Sequence, residues 1–308
     1  MKWIITIPAI LLFALAGCGK DKQSTNELIT VDVTASYPKK ELILQDFMDV
    51  EYIPLETKDD FICQGLVLAI GKDIILARNR IRDGDIFIYD RKTGKGLKKI
   101  NREGQGGEEY TFIQRIVLDE KQNEIFVLDH FSRKISVYDL DGNFKRSLKR
   151  GDELYFFHLY NFNQTSLITN NYWVTDKPAF TIISKQDGTT KQIQIPFKEK
   201  TSMAVNYSDK AKDIYYNVIP DNYNPIIPYF DCWVLVEQSS DTVYKYQSDH
   251  KMIPIIARTP SVQSMNPEVF LFLGILTNRY YFMETVKKEY NFETHEGFPT
   301  TDLLYDKQ

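Results

Sequence analysis

The chain has 308 residues, 43% of them hydrophobic, and 38 basic against 42 acidic side chains give a net charge of -4. With a mean hydropathy of -0.34, this composition excludes a disordered or membrane-embedded chain, and the lack of a concentrated basic block excludes the electrostatic footprint of a nucleic-acid partner. The length is enough for one large all-β domain, since β-barrels and propellers commonly exceed roughly 200 residues as single units.

The amino terminus reads as an address. Met1 and Lys2 precede an apolar run over residues 3–15, which ends in Ala16-Gly17-Cys18. A spanning helix needs about 20 apolar residues, so residues 1–17 read as a signal peptide and not as a membrane span. Leu15-Ala16-Gly17-Cys18 resembles the bacterial lipobox, and the resemblance implies acyl chains on Cys18; an ordinary cysteine behind a soluble-secretion signal is the alternative. Residues 18–30 form a polar tether, which leaves 31–308 for the domain and makes lipid the expected membrane contact. The expected location is the outer membrane, and Gly19-Lys20-Asp21-Lys22 leaves both its periplasmic and its surface face open.

Within the domain, residues 110–148 set the unit. Four segments rich in Ile, Val, Phe and Tyr (112–118, 124–128, 134–138 and 144–148) are joined by turns carrying Asn123, Asp141, Gly142 and Asn143. This is the pattern of one four-stranded antiparallel propeller blade. The end of its third strand, Val137-Tyr138-Asp139, has counterparts at Ile88-Tyr89-Asp90, Ile182-Ile183-Ser184, Val243-Tyr244-Lys245 and Leu304-Tyr305-Asp306. Five exits at blade-like spacing predict a β-propeller whose last blade is incomplete. Pro220, Pro225 and Pro228 predict an insertion of loops between residues 206 and 231, and Asn266-Pro267-Glu268 leaves residues 269–275 open to helix or strand. Cys63 and Cys232 lie in apolar strand-like surroundings and read as free thiols.

The lipobox, Val50-Glu51-Tyr52-Ile53-Pro54-Leu55-Glu56-Thr57, the turn over residues 102–110 and Ser240-Asp241-Thr242-Val243-Tyr244 together resemble the six-bladed β-propeller lipoproteins of Bacteroides and its relatives, with an NHL-like pattern. The resemblance implies six blades, where five exits are visible. Because only Lys307 and Gln308 follow the last exit, residues 28–33 or 51–55 are expected to pair with strand 302–305 and close the ring; a shortened, open ring is the alternative.

Motifs for chemistry are scarce. Gly104-Gln105-Gly106-Gly107 lacks phosphate-loop spacing, Asp139, Asp141 and Asn143 lack the rest of a calcium loop, and His130, His158, His250 and His295 form no metal pair, so neither metal nor cofactor is expected. Two constellations remain as candidate ligand contacts. One gathers Arg102, Glu108, Glu109, Arg115, Asp129, His130 and Arg133 around the opening blade; the other is the tyrosine-rich insertion with Tyr215, Tyr216 and Tyr223. The sequence therefore reads as a non-catalytic envelope binding module for a glycan or a partner protein. The alternative is a carbohydrate-active hydrolase or lyase with its site on the propeller axis.

Overall fold

The protein's structure is a computed structural model that describes residues 28–43, 45, 48–80, 83–149, 156–171, 177–221 and 223–308. The expected signal peptide, Cys18 and most of the expected tether lie outside the described residues. Runs such as Ile74-Ile75-Leu76-Ala77 and Ile125-Phe126-Val127-Leu128 are buried at every position, because each sheet they belong to is covered on both faces.

Strand β1 is Ile29–Asp32. Blade 1 comprises β2 (Leu66–Ile70), β3 (Ile74–Arg78), β4 (Asp85–Asp90) and β5 (Gly96–Asn101). Blade 2 comprises β6 (Ile113–Asp119), β7 (Glu124–Asp129), β8 (Lys134–Asp139) and β9 (Phe144–Lys149), and blade 3 comprises β10 (Phe156–Asn161), β11 (Ser166–Asn171), β12 (Phe180–Ser184) and β13 (Thr190–Ile193). A separate hairpin, β14 (Val205–Asp209) and β15 (Ile214–Val218), precedes blade 4, which holds β16 (Ile226–Tyr229), β17 (Cys232–Leu235), β18 (Thr242–Gln247) and β19 (Met252–Thr259). Blade 5 has three strands, β20 (Val269–Leu276), β21 (Tyr280–Lys287) and, after the small hairpin β22 (Tyr290–Asn291) and β23 (Glu296–Gly297), β24 (Thr300–Asp306).

Four of the five expected exits end third strands, the remaining one, Val243-Tyr244-Lys245, lies inside the third strand β18, and among the described residues the last blade lacks a fourth strand. Two expectations are corrected. The insertion is not all loop: it forms the β14–β15 hairpin and then β16, whose free edge tolerates Pro228 because no neighbour needs the missing N–H there. The expected closing ladder is absent, since β24 pairs with β21 alone and β1 instead runs parallel to β19, adding a fifth strand to blade 4. Val31 explains the choice, because it enters the apolar layer between blades 4 and 5 together with Val243, Ile256 and Leu271.

Buried layers join blade 1 to 2, 2 to 3, 3 to 4 and 4 to 5. Among the described residues none joins blade 5 to blade 1. Each free face has its own cover. On blade 1, Ile75, Ala77, Phe87 and Tyr89 are capped by Ile53, Leu55, Phe61 and Cys63. On blade 5, Phe270, Phe272 and Val286 are capped by Met203, Tyr223, Val262 and Phe298. The arrangement follows the logic of a repeat array, in which end units need a cover of their own.

Gly94 fixes the first cover. It has φ +70°, and a Cβ there would lie 1.9 Å from the Pro54 carbonyl oxygen, while its own carbonyl accepts the Glu56 N–H at 2.8 Å. Gly94→Ala is therefore expected to lower Tm by several degrees and to speed proteolytic cleavage before Gln64, since both the backbone conformation and the close approach are lost. Equal protease resistance in the variant would show that residues 53–63 are held by other contacts.

Candidate functional site

The innermost strands β2, β6 and β10, with blade 4 contributing Pro228 of β16 and the turn residues Asp231 and Ser248, surround a cavity of about 1290 Å³ on the propeller axis. Inner strands have one unpaired edge, so the wall is built from strand edges, their side chains and the turns at their ends. β2 brings apolar groups, with Leu66, Val67 and Ile70 exposed. β10 brings His158 and Tyr160, whose rings stack at 6.2 Å, and Tyr160 leans on Trp233 at 5.3 Å.

Charge enters at both ends. Arg78 and Arg115 stand near the start of the inner strands, and each donates through Nη1 to a backbone carbonyl, of Ile113 and Gln114 respectively, at 3.0 Å. Lys72, Arg91 and Lys121 stand at the other end, where Arg91 Nη1 donates to the Gly71 carbonyl at 2.6 Å. Burial pulls His158 below its ordinary value; its contact with Asn170 at 3.1 Å resists this, and the Arg115 charge adds to the lowering. The ring is thus neutral at pH 7.

Two of the wall's carboxylates are already engaged. Asp119 accepts from Lys185 Nζ at 2.5 Å, and the same ammonium donates to Asn161 Oδ1 at 2.7 Å and to the Asn163 carbonyl at 2.6 Å. Glu120 accepts three backbone N–H groups of the first turn of blade 1, from Lys72 at 2.5 Å, Asp73 at 2.8 Å and Ile74 at 3.0 Å. Both contacts are seams, one between blades 2 and 3 and one between blades 1 and 2. Among the described residues no cluster of His, Cys, Asp and Glu could hold a metal ion.

The first predicted constellation is divided. Arg115 lines the cavity. Arg102, Glu109 and Asp129 instead build the link between blades: Arg102 Nε donates to the Gly142 carbonyl at 2.8 Å, the Glu109 carboxylate accepts the Gly106 N–H at 2.7 Å, and Asp129 accepts the N–H groups of Thr111, Phe131 and Ser132. The Glu108 carbonyl accepts the Tyr138 hydroxyl at 2.7 Å. His130 stacks edge-on against Phe112 and Phe131, and Arg133 is exposed in the same turn with φ +50°.

The tyrosines do not share one surface either. Tyr207 and Tyr216 face each other across the β14–β15 hairpin and meet Phe292, whereas Tyr215 points to the opposite face and donates to Asn206 Oδ1 at 3.1 Å. Tyr223 is part of the cover of blade 5, packed on Phe272 at 5.1 Å with its hydroxyl donating to the Val236 carbonyl at 2.6 Å. It also borders a smaller cavity of about 200 Å³ with Asn170, Asn171 and Lys200. Sequence reasoning missed His158, Tyr160, Lys72, Arg91 and Lys121 in the axial wall. The one signal for His158, Tyr160, Lys72 and Lys121 is position, on or just after the inner strand of their blade; Arg91, which follows the third strand β4, carries none.

Four-stranded antiparallel sheets stacked face to face, with their inner strands around an axial cavity, define a β-propeller. The chain belongs to the DUF5128 family, a six-bladed β-propeller family whose pattern matches residues 19–308. Among solved structures it is similar to a protein described as exported from Bacteroides fragilis, at 14% identity and a TM-score of 0.53 over 90% of this chain and 80% of that one. It is also similar to a member of the DUF4221 family from Bacteroides vulgatus, at 12% identity and a TM-score of 0.51 over 82% of this chain and 81% of that one. Both are likenesses of fold. No curated protein matches the chain.

Proposed function

We propose that this propeller is a cell-envelope binding protein, exported and held by lipid on Cys18, that takes a glycan into its axial cavity. The cavity of about 1290 Å³ carries the reading, because it combines an apolar strand, stacked rings and charged groups on a rigid scaffold. The address is supported by the lipobox Leu15-Ala16-Gly17-Cys18 and by the exported character of the Bacteroides fragilis protein of similar fold. Among the described residues no helix is long and apolar enough to cross a membrane. Hydrolysis or elimination needs an acid and a base facing each other across the substrate. The engagement of Asp119 by Lys185 and of Glu120 by backbone N–H groups takes these two carboxylates out of that role.

Two measurements test the proposal. Cys18→Ser should lose labelling by a fatty-acid analogue and release the protein from membranes; membrane retention of that variant counts against the anchor. On immobilised glycans the full chain should be retained by at least one structure, and Val67→Trp, which adds bulk to an exposed wall position, should abolish that retention. No retention on any glycan, with an envelope protein co-purifying in stoichiometric amount, would favour a protein partner instead.

A further inference from the structure

Taking the axial cavity as a glycan site, we infer that its ligand is an acidic oligosaccharide, bound through carboxylates that meet Lys72, Arg91 and Lys121 at the turn end of the inner strands. The chain as a whole is net acidic at -4, yet the described wall carries five basic side chains, Lys72, Arg78, Arg91, Arg115 and Lys121, against Asp119, Glu120 and Asp231. One of those three acids does not oppose an anion, because Asp119 is compensated by the buried ammonium of Lys185; Glu120 keeps its charge, its three backbone N–H partners being neutral donors, and Lys72, Arg91 and Lys121 outnumber it three to one at the turn end. The bond of Arg91 to the Gly71 carbonyl orients its guanidinium group without cancelling the charge, because a carbonyl is a neutral acceptor.

Lys72 follows the end of β2, and at about 3.3 Å per strand residue the other end of the wall, beside Leu66, is roughly 15–20 Å away, which leaves room for several sugar rings. Between the ends the wall offers Val67 and Leu68 on one side and the stacked rings of His158 and Tyr160 on another, which suits the C–H faces of pyranose rings. An excess of positive charge at the turn end also concentrates a ligand of the opposite sign, and that attraction is screened by salt.

The probes are hexagalacturonate and a neutral galactose hexamer of the same length, titrated calorimetrically into the full chain at low and at high sodium chloride. Hexagalacturonate should bind saturably, at least about tenfold more tightly than the neutral hexamer, and weaken as salt rises. The double variant Lys72→Gln, Lys121→Gln should weaken it by about tenfold, since each exposed cation contributes up to about fivefold. Both lysines are exposed, so Tm should not change. Equal affinity for the two hexamers, or an acidic hexamer insensitive to the double variant, overturns the charge inference and leaves the axial binding reading standing. No binding of either hexamer overturns the inference too, and together with no retention on immobilised glycans it removes the reading beneath it.

Discussion

Lys185→Met is expected to destabilise the protein by about 3–5 kcal/mol, because it leaves the Asp119 carboxylate buried without its counter-charge. The two side chains are 3% and 5% exposed, so solvent cannot take the ammonium's place. Burial pulls the Lys185 ammonium below its ordinary value, and the Asp119 carboxylate pulls it back only in part. The site tolerates a charge because Asp119, Asn161 and the Asn163 carbonyl receive its three protons and the Phe126 ring lies 5.6 Å away. The neighbouring seam depends on the same residue, since Arg146 donates to the Lys185 carbonyl at 2.8 Å while gripping Glu124 with two bonds at 2.7 and 2.9 Å.

A double variant separates the charge from the fold. Replacing the pair together, Lys185→Met with Asp119→Leu, should recover most of the loss, because an apolar pair of similar volume removes the unpaired charge and its desolvation cost. Urea unfolding of the three variants measures this. If Lys185→Met unfolds at the wild-type midpoint, the ammonium contributes nothing and the blade 2–3 seam rests on its apolar layer of Val117, Phe126, Leu128 and Leu159.

The exits that made the blades legible owe their regularity to two physical requirements meeting at one place. Tyr89 and Tyr138 are buried ends of third strands, and the aspartates that follow them staple the next turn: Asp90 accepts the Thr93 N–H at 2.7 Å and Asp139 accepts the Asn143 N–H at 2.8 Å. A local motif records a local need. The inner strand β16 was not legible because its free edge relaxes the need for an N–H, and Pro228 could enter where strand patterns forbid it. The placement of β1 beside β19 could not be read for a different reason. Its partners, Ile29 with Ile256 and Val31 with Arg258, stand at opposite ends of the chain, and the apolar rhythm of β1 fits any open edge.

The axial wall shows the same limit. Lys72 and Lys121 sit in first turns and Arg91 in a third, where polar residues need no special reason, and the three converge only through the stacking of blades 1 and 2. Arg115 was legible as a candidate because it adjoins the glycine-rich link. The other charged residues of that link, Arg102 and Glu109, serve the link itself.

Asp129→Ala should cost at least about 3 kcal/mol and should also change the shape of the acid unfolding curve. Asp129 is fully buried, and its carboxylate is the acceptor for the N–H groups of Thr111 at 2.7 Å, Phe131 at 3.0 Å and Ser132 at 3.2 Å, with the Thr111 hydroxyl at 2.9 Å. Removing it strands several donors at once, where each buried unsatisfied group costs about 1–3 kcal/mol. Burial pushes the carboxyl up, but the bonds from Ser132 and Thr111 outweigh it and hold Asp129 below its ordinary value. A carboxyl depressed in the folded state stabilises the fold fully above its unfolded value of about 3.9 and loses that contribution as pH falls through the folded value. Glu124, held down by the Arg146 guanidinium, has the same sign. The wild-type urea midpoint should therefore fall steeply below about pH 4, and the Asp129→Ala curve, lower at neutral pH, should fall less steeply there. Parallel curves would mean that the Asp129 carboxyl titrates alike in the folded and unfolded chain, and that its hydrogen bonds orient the Thr111 link without holding the charge.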